Sequence, residues 1–322
     1  MYKKHKISVS VPAYQEENLI QETLKGIPDY VDSIVVVNDG STDKTREKVL
    51  EAKKKDKRII FLDSKKNEGI GATIIKAHKE GIENNSDIIV VMAGDNQMDP
   101  DKLSDLLDEI IEGDYDYVKG NRFFHTDELK SMPKVRLVGN IFISLLAKFG
   151  TGYWSVADPL NGYTALKSDI FKKLDVNKIS KRFDFEISML ANLNIVNAKV
   201  KAIFIPSKYG EEKSKIKGFS LSNKNSYLHS ILRTYKTVFK GFFRRIFIKN
   251  LLFNFSPIVL FYTIGALLFA FGLITGILLS IYLIGPESAT TATVMISVVP
   301  FLLGVEFLLQ AISLDIYSEP KM

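Results

Sequence analysis

The 322-residue chain contains no cysteine, so it can form neither a disulfide framework nor a thiolate metal site. Its four histidines (His5, His78, His125 and His229) are scattered without paired spacing, which argues against a histidine-based zinc site. Tryptophan is almost absent too, with Trp154 alone. Charge is missing from one region above all. Leu251 to Pro286 carries no charged residue, and Ala289 to Leu314 carries only Glu306. A membrane-spanning helix needs roughly 20 apolar residues, and runs of this length rarely belong to soluble cores. The C-terminal part is therefore expected to be a two-span hairpin turning around Gly285-Pro286-Glu287-Ser288. The N-terminus is charged and leads straight into a strand, which is not the pattern of a signal peptide.

What the chain has instead is positive charge concentrated in one place. From Lys208 to Lys249 it carries eleven Lys/Arg and two Glu, a local net charge of +9 against +6 for the whole chain. Such a block beside a span marks the cytoplasmic side and draws anionic lipid. That position also makes nucleic acid an unexpected partner. Between Asn225 and Phe247, Leu228, Ile231, Tyr235, Val238, Phe242 and Ile246 face one way, while Arg233, Lys236, Lys240 and Arg244 lie off that stripe. This is the pattern of a helix lying on a membrane surface. The expected organisation is an α/β domain over 1–220, basic interfacial helices over 221–250 and a transmembrane hairpin over 251–322. The α/β domain and the short tail ending in Lys321 should both be cytoplasmic.

The first part of the chain alternates strand and helix signals. Strands are expected at Ile7–Val11, Ser33–Val37, Arg58–Leu62 and Asp87–Met92, with helices beginning near Asn18, Lys44 and Gly71. Apolar strands separated by helices predict a parallel sheet covered on both faces, whose ligands bind beyond the carboxyl ends of the strands. Three polar loops sit at those ends: Pro12-Ala13-Tyr14-Gln15-Glu16-Glu17, Asn38-Asp39-Gly40-Ser41-Thr42-Asp43 and Ala93-Gly94-Asp95-Asn96-Gln97-Met98-Asp99-Pro100. Asp43 and Asp99 also read as ordinary helix caps, the latter with proline at the first helical position. After Lys119-Gly120-Asn121-Arg122, Pro133 opens an amphipathic helix to about Phe149. Its apolar face is Val138, Ile141, Phe142, Leu145 and Phe149, and its polar stripe is Arg136, Asn140, Ser144 and Lys148.

With Asn67-Glu68-Gly69-Ile70-Gly71 and Asp158-Pro159-Leu160-Asn161-Gly162-Tyr163, these motifs form an ordered set over about residues 7–215 that resembles the inverting GT-A glycosyltransferases of family 2, specifically the polyprenyl-phosphate sugar synthases. The resemblance implies a Rossmann-like, mostly parallel sheet with helices on both faces, a nucleotide-sugar donor and a dolichyl or polyprenyl phosphate acceptor. It implies that Pro12, Ala13, Tyr14, Glu16 and Asp39 hold the nucleoside, with Gly69, Gly94, Asp95 and Asn96 completing the donor site. Asp95 and Gln97 would hold Mg²⁺ or Mn²⁺ on the diphosphate. Ala93 replaces the first carboxylate of the usual Asp-x-Asp, which leaves one or two protein ligands plus phosphate oxygens and water. The Ser-Lys cluster after the last strand survives without its arginine, leaving Lys213 or Lys215 to close over the diphosphate. Arg136 and Asn140, one turn apart on the amphipathic helix, match the pair that receives the acceptor phosphate, and Arg122 has the planar fork for the same task. Asp158 and Glu186 match positions that include a catalytic base in soluble relatives. Because a phosphate monoester is already nucleophilic at neutral pH, they are expected to position groups instead. The choice between GDP-mannose and a UDP-hexose stays open. Two other readings are a processive polysaccharide synthase, for which two spans cannot enclose a channel, and a non-catalytic partner subunit. Glu306 and Gln310, one turn apart in the second span, point to self-association through the hairpin.

Overall fold

Strands and helices alternate as β1 (Ile7–Ala13), α1 (Ile20–Gly26), β2 (Ser33–Asn38), α2 (Thr45–Lys55), β3 (Ile59–Asp63), α3 (Ile70–Glu83), β4 (Ile88–Val91), α4 (Leu103–Ile111) and β5 (Tyr117–Asn121). After α5 (Lys134–Thr151) come β6 (Thr164–Lys167), α6 (Ser168–Lys173), α7 (Phe185–Ile195) and β7 (Val200–Phe204). The computed structural model describes residues 1–122, 134–206, 224–282 and 290–320, without the side chains of 134–140, 224–231 and 282.

The seven strands form one sheet in the order β3-β2-β1-β4-β6-β5-β7. All pairings are parallel except those of β6, which runs antiparallel to both β4 and β5. The expectation of a parallel sheet therefore holds everywhere but at this strand. Its reversal brings the segment before Thr164 to the edge where β1, β2, β4 and β5 end. Successive residues of a strand point to opposite faces, and here both faces are buried. Ile7, Val9 and Val11 join Ile88 and Val90 in a core under α1, α2 and α4. Ile89, Val91 and Leu166 enter a second core with Ile74 of α3, Phe171 of α6 and Leu190 of α7. On that second face β1 presents Ser8 and Ser10, small enough for α3 to lie close. A Cβ on Gly81 would come within 2.6 Å of Ser8 Oγ, and Ser10 Oγ shares a hydrogen bond with His78 Nδ1 at 2.8 Å.

Residues Phe243–Glu319 form a second compact unit. Here α8 (Lys224–Arg245) runs into a π-helical segment, Ile246–Phe253, followed by α9 (Pro257–Tyr282) and α10 (Thr291–Tyr317). Both α9 and α10 are long and apolar enough to cross a membrane. They approach until side chains no longer fit between them: a Cβ on Gly272 would lie 2.4 Å from the Phe301 nitrogen, and one on Gly304 2.3 Å from that of Phe269. At the base of the pair Arg245 donates to both oxygens of Asp315, at 2.5 and 2.8 Å, with both side chains almost wholly buried. Lys249, Asn250 and Glu319 are buried in the same unit.

Candidate functional site

The carboxyl ends of β1 and β2 lie side by side, Ala13 opposite Asn38, and β4 flanks β1 on its other side. The loops that follow are tied together rather than simply adjacent. The backbone N–H of Gln15 donates to Ser41 Oγ (3.0 Å), that of Glu16 to Thr45 Oγ1 (2.8 Å) and that of Glu17 to Asp43 Oδ2 (3.2 Å). Asp43 Oδ1 also accepts from the backbone N–H and the hydroxyl of Thr45. The aspartate thus supports the start of α2 and the first loop at once, which is more than the simple cap expected of it. Gln15 takes a positive φ of 60° to make this turn, and Tyr14 stands exposed at its tip.

Asp39 is buried at the end of β2. Its two carboxylate oxygens accept from the backbone N–H groups of Glu68 (2.8 Å) and Gly69 (3.0 Å), so it fixes the turn that leads into α3. Each oxygen keeps a second lone pair for a ligand. Gly69 has a φ of +100°, and a Cβ there would sit 2.4 Å from the Lys181 carbonyl oxygen, so only glycine lets the 180–182 segment close over this turn. Arg182 adds a bond to Asn67 Oδ1 at 3.0 Å.

The third loop is anchored by the N–H of Gly94 to the Pro12 carbonyl (3.1 Å) and by Thr23 Oγ1 to the Gly94 carbonyl (3.1 Å). Asn96 at φ 56° turns the chain, and Asp95 Oδ1 accepts from the N–H of Gln97 (3.2 Å). Burial raises the Asp95 carboxyl above its ordinary range, while the Gln97 side chain is exposed. Asp99 accepts from the N–H of Asp101 as the cap before Pro100, as expected.

The reversed β6 delivers the fourth wall. Tyr163 donates its hydroxyl to the Asp99 carbonyl at 3.0 Å. Asp158, fully buried, receives the Arg122 guanidinium through two bonds, Nε to Oδ2 at 2.7 Å and Nη2 to Oδ1 at 3.0 Å. The fork expected to meet an acceptor phosphate is thus already engaged by a carboxylate. Lys119, buried in β5, donates to the Pro159 carbonyl at 2.9 Å. Glu186, in the first turn of α7, lies beside Gly162, 3.6 Å from where its Cβ would be. Burial raises the Glu186 carboxyl and lowers the Lys119 ammonium, and the attraction between their charged forms opposes both shifts. In the sequence Lys119 stands only in the run Lys119-Gly120-Asn121-Arg122, with no role assigned to it, although a cation inside a buried strand is an anomaly that could have assigned one.

Arg136 and Asn140 fall on α5, but their side chains lie outside the described residues, as do Lys213 and Lys215 entirely. One turn further along α5, Ile141, Phe142 and Leu145 are exposed, at 61%, 49% and 48%. α5 packs against α8, where Phe142 meets Tyr235 edge-on with ring centroids 6.5 Å apart and a Cβ on Gly150 would be 3.0 Å from the Val238 carbonyl oxygen. From α8, Leu232 and Phe239 are also exposed beside Lys236 and Lys240.

The family described as Glycosyl transferase family 2 matches residues 8–175, just over half of the chain and all four of these walls up to Asp158–Tyr163. The chain belongs to glycosyl transferase family 2. It is similar to the UDP-N-acetylglucosamine–dolichyl-phosphate N-acetylglucosaminyltransferase of Methanococcus voltae, 28% identical over 216 residues, 62% of this chain and 86% of that protein. It is also similar to the dolichol-phosphate mannosyltransferase of Pyrococcus furiosus, 27% identical over 241 residues, 72% of this chain and 64% of that protein. Among solved structures, glucosyl-3-phosphoglycerate synthase from Mycobacterium tuberculosis in complex with Mn²⁺, UDP and glucosyl-3-phosphoglycerate superposes with a TM-score of 0.53 at 17% identity, covering 75% of this chain and 80% of that one. At that identity the likeness is one of fold, and the fold is GT-A. As a family member the chain is a glycosyltransferase, with its loops at the sheet edge where such folds bind ligands.

Proposed function

We propose that the chain transfers a hexose, with inversion, from a nucleoside-diphosphate sugar to a polyprenyl phosphate at a membrane surface. The observation that carries this reading is the exposed apolar group Ile141, Phe142 and Leu145 on the helix that bears Arg136 and Asn140. An enzyme with a water-soluble acceptor gains nothing from three large apolar side chains facing solvent there, whereas a lipid acceptor needs its phosphate and its chain received side by side. The relatives named for dolichyl phosphate and the two apolar helices support it.

The donor would lie across the ends of β2, β1 and β4, its nucleoside against Pro12, Ala13, Tyr14, Glu16 and Asp39, its diphosphate near Gly69, Gly94 and Asn96. No cluster of three or more acidic or histidine side chains able to hold a metal exists among the described residues. Asp95 is nevertheless a desolvated carboxylate, and a divalent ion can be bound by one or two protein ligands together with phosphate oxygens and water, so Asp95 with Gln97 fits Mg²⁺ or Mn²⁺ shared with the donor. Such an ion supplies charge stabilisation for the departing diphosphate. Lys213 and Lys215 are proposed to add cations to the same group.

The acceptor phosphate, with its second pKa near 6, attacks the anomeric carbon as the bond to the diphosphate breaks. No proton need be removed, so the work of the protein is to align the two anions. Arg136 and Asn140 are assigned to the acceptor phosphate. Arg122, held rigid by Asp158, contributes directed positive charge beside it, and Glu186 and Lys119 shape the wall facing the sugar.

The test is transfer of labelled sugar from a panel of nucleotide sugars to dolichyl phosphate in detergent, with Mg²⁺, Mn²⁺ or EDTA. A chloroform-soluble product that forms only with metal is expected, and the donor that yields it identifies the sugar. Folded protein that makes no such product from any donor would overturn the reading.

A further inference from the structure

The transmembrane unit has a second helix-packing seam that no other element among the described residues covers. On α10, Ser297, Gly304 and Ala311 are buried at seven-residue spacing against α9. One residue before and two residues after each of these, about 260° and 200° around the helix, a different series is exposed: Ile296, Val299, Leu303, Glu306, Gln310 and Ser313. Its spacing of three and four residues alternately is that of a coiled-coil a/d seam. At its centre Gln310 Nε2 donates to Glu306 Oε1 at 3.1 Å, on the open side of the helix.

Glu306 lies fifteen residues from Thr291 and eleven from Tyr317, about 22 and 16 Å along the axis, which is mid-membrane for a spanning helix. A carboxyl and an amide facing hydrocarbon at that depth are costly unless partnered. Among the described residues Glu306 has no other side-chain partner than Gln310, which leaves donors and acceptors of the pair facing outward.

We propose that α10 pairs in parallel with α10 of a second copy of this chain along this outer seam. A second copy is the partner that fits, because copies inserted in one membrane share orientation. Parallel α10 helices therefore place Glu306 beside Glu306 and Gln310 beside Gln310 at equal depth. The amide both donates and accepts, so two Gln310 side chains satisfy each other. The two Glu306 side chains then meet in the same layer, each still bonded by the Gln310 of its own helix. A polar layer beside the apolar Ile296, Val299 and Leu303 fixes register and copy number, while the buried seam with α9 leaves each hairpin intact.

The absence of native cysteine allows a direct test that does not depend on sugar transfer. In the full-length protein in liposomes, Leu303→Cys and Ile296→Cys should give disulfide-linked dimers on mild oxidation, and Ile274→Cys, exposed on α9, should not. Single-molecule photobleaching of the labelled wild type should show two steps at protein-to-lipid ratios where the Glu306→Leu/Gln310→Leu protein shows one, a loss of at least tenfold in association. Glu306→Gln, which keeps a donor and an acceptor, should retain the dimer. The proposal fails if Ile274→Cys cross-links as readily as Leu303→Cys, if the double leucine variant associates like wild type, or if wild type bleaches in one step throughout. The last result would point to a different membrane protein on the seam. The cysteine experiment stands even if the leucine variant does not fold.

Discussion

Desolvation raises the carboxyl of Asp95, and with Ala93 in place of a second acid it is the one carboxylate proposed, with Gln97, to hold an ion on the donor diphosphate. Asp95→Asn preserves its shape and its bond from Gln97. It should lower transfer by about a hundredfold or more, the scale of removing one preorganised electrostatic contact, without lowering thermal stability. Equal activity would remove Asp95 from the site. The Arg122–Asp158 pair predicts the opposite balance. Arg122→Ala leaves a carboxylate without its two charge-assisted bonds in a fully buried position, at a cost of about 1–3 kcal/mol. Adding Asp158→Asn should recover part of that loss in denaturant titrations, and an unchanged midpoint in the single variant would show the pair to be idle. His78 carries a pH signature. It is buried beside Ser10 and Phe171, and burial pulls its pKa from 6.5 to about 3. The folded protein therefore resists a proton that the unfolded chain accepts. The stability from His78 is complete above pH 6.5 and falls toward pH 3 by about 1.4 kcal/mol per unit. The melting temperatures of wild type and His78→Gln should converge as pH drops from 7 to 4, and a constant gap would refute the assignment.

Among the elements, those with a strong apolar period were legible in the sequence and those set by distant packing were not. β1, β2 and β4 announce themselves as β-rich runs ending in polar loops, because their burial on both faces demands continuous apolar residues. The direction of β6 has no local signal: Thr164–Lys167 is four residues long, and only its pairing with β4 and β5 fixes which way it runs. The site divides in the same way. The loops at Asp39 and Asp95 stand out as motifs, but Lys119, the clasp of Asp158 on Arg122 and the closure of the 180–182 segment on Gly69 depend on parts of the chain far apart in sequence. The amphipathic stripe of α5 was visible, and Ile141, Phe142 and Leu145 of its apolar face are exposed, as a face meant to meet lipid would be. In the hairpin, glycine placement decides contact. Gly304→Val would put its Cβ 2.3 Å from the Phe269 nitrogen, so α9 and α10 must separate. Loss of secondary and tertiary protection in the hairpin by hydrogen exchange in detergent is expected, and wild-type protection would show that the helices are not this close.

Across the whole molecule, charge is distributed by position along the chain. The span-length helices are nearly free of it, the segment before them is strongly cationic, and the base of the hairpin neutralises Arg245 with Asp315 in a buried pair. Arg245 ends α8, ahead of the π-helical segment and α9, and Asp315 lies near the end of α10, so this bond ties the cationic segment before the first span to the end of the second and keeps both on a single side of the bilayer if the helices span it. Positive residues favour the cytoplasmic side, which would put the GT-A domain there with its nucleotide-sugar supply, and the turn between the spans outside. The cysteine-free background makes this measurable with a membrane-impermeant maleimide on intact cells. Ser288→Cys, in the expected turn and outside the described residues, should label directly, whereas Lys65→Cys, exposed on the catalytic unit, should label only after permeabilisation. The reverse pattern would invert the orientation. Direct labelling at both positions would mean that α9 and α10 do not cross the membrane as a hairpin, and a lipid acceptor would then have to reach the site through the exposed faces of α5 and α8 alone.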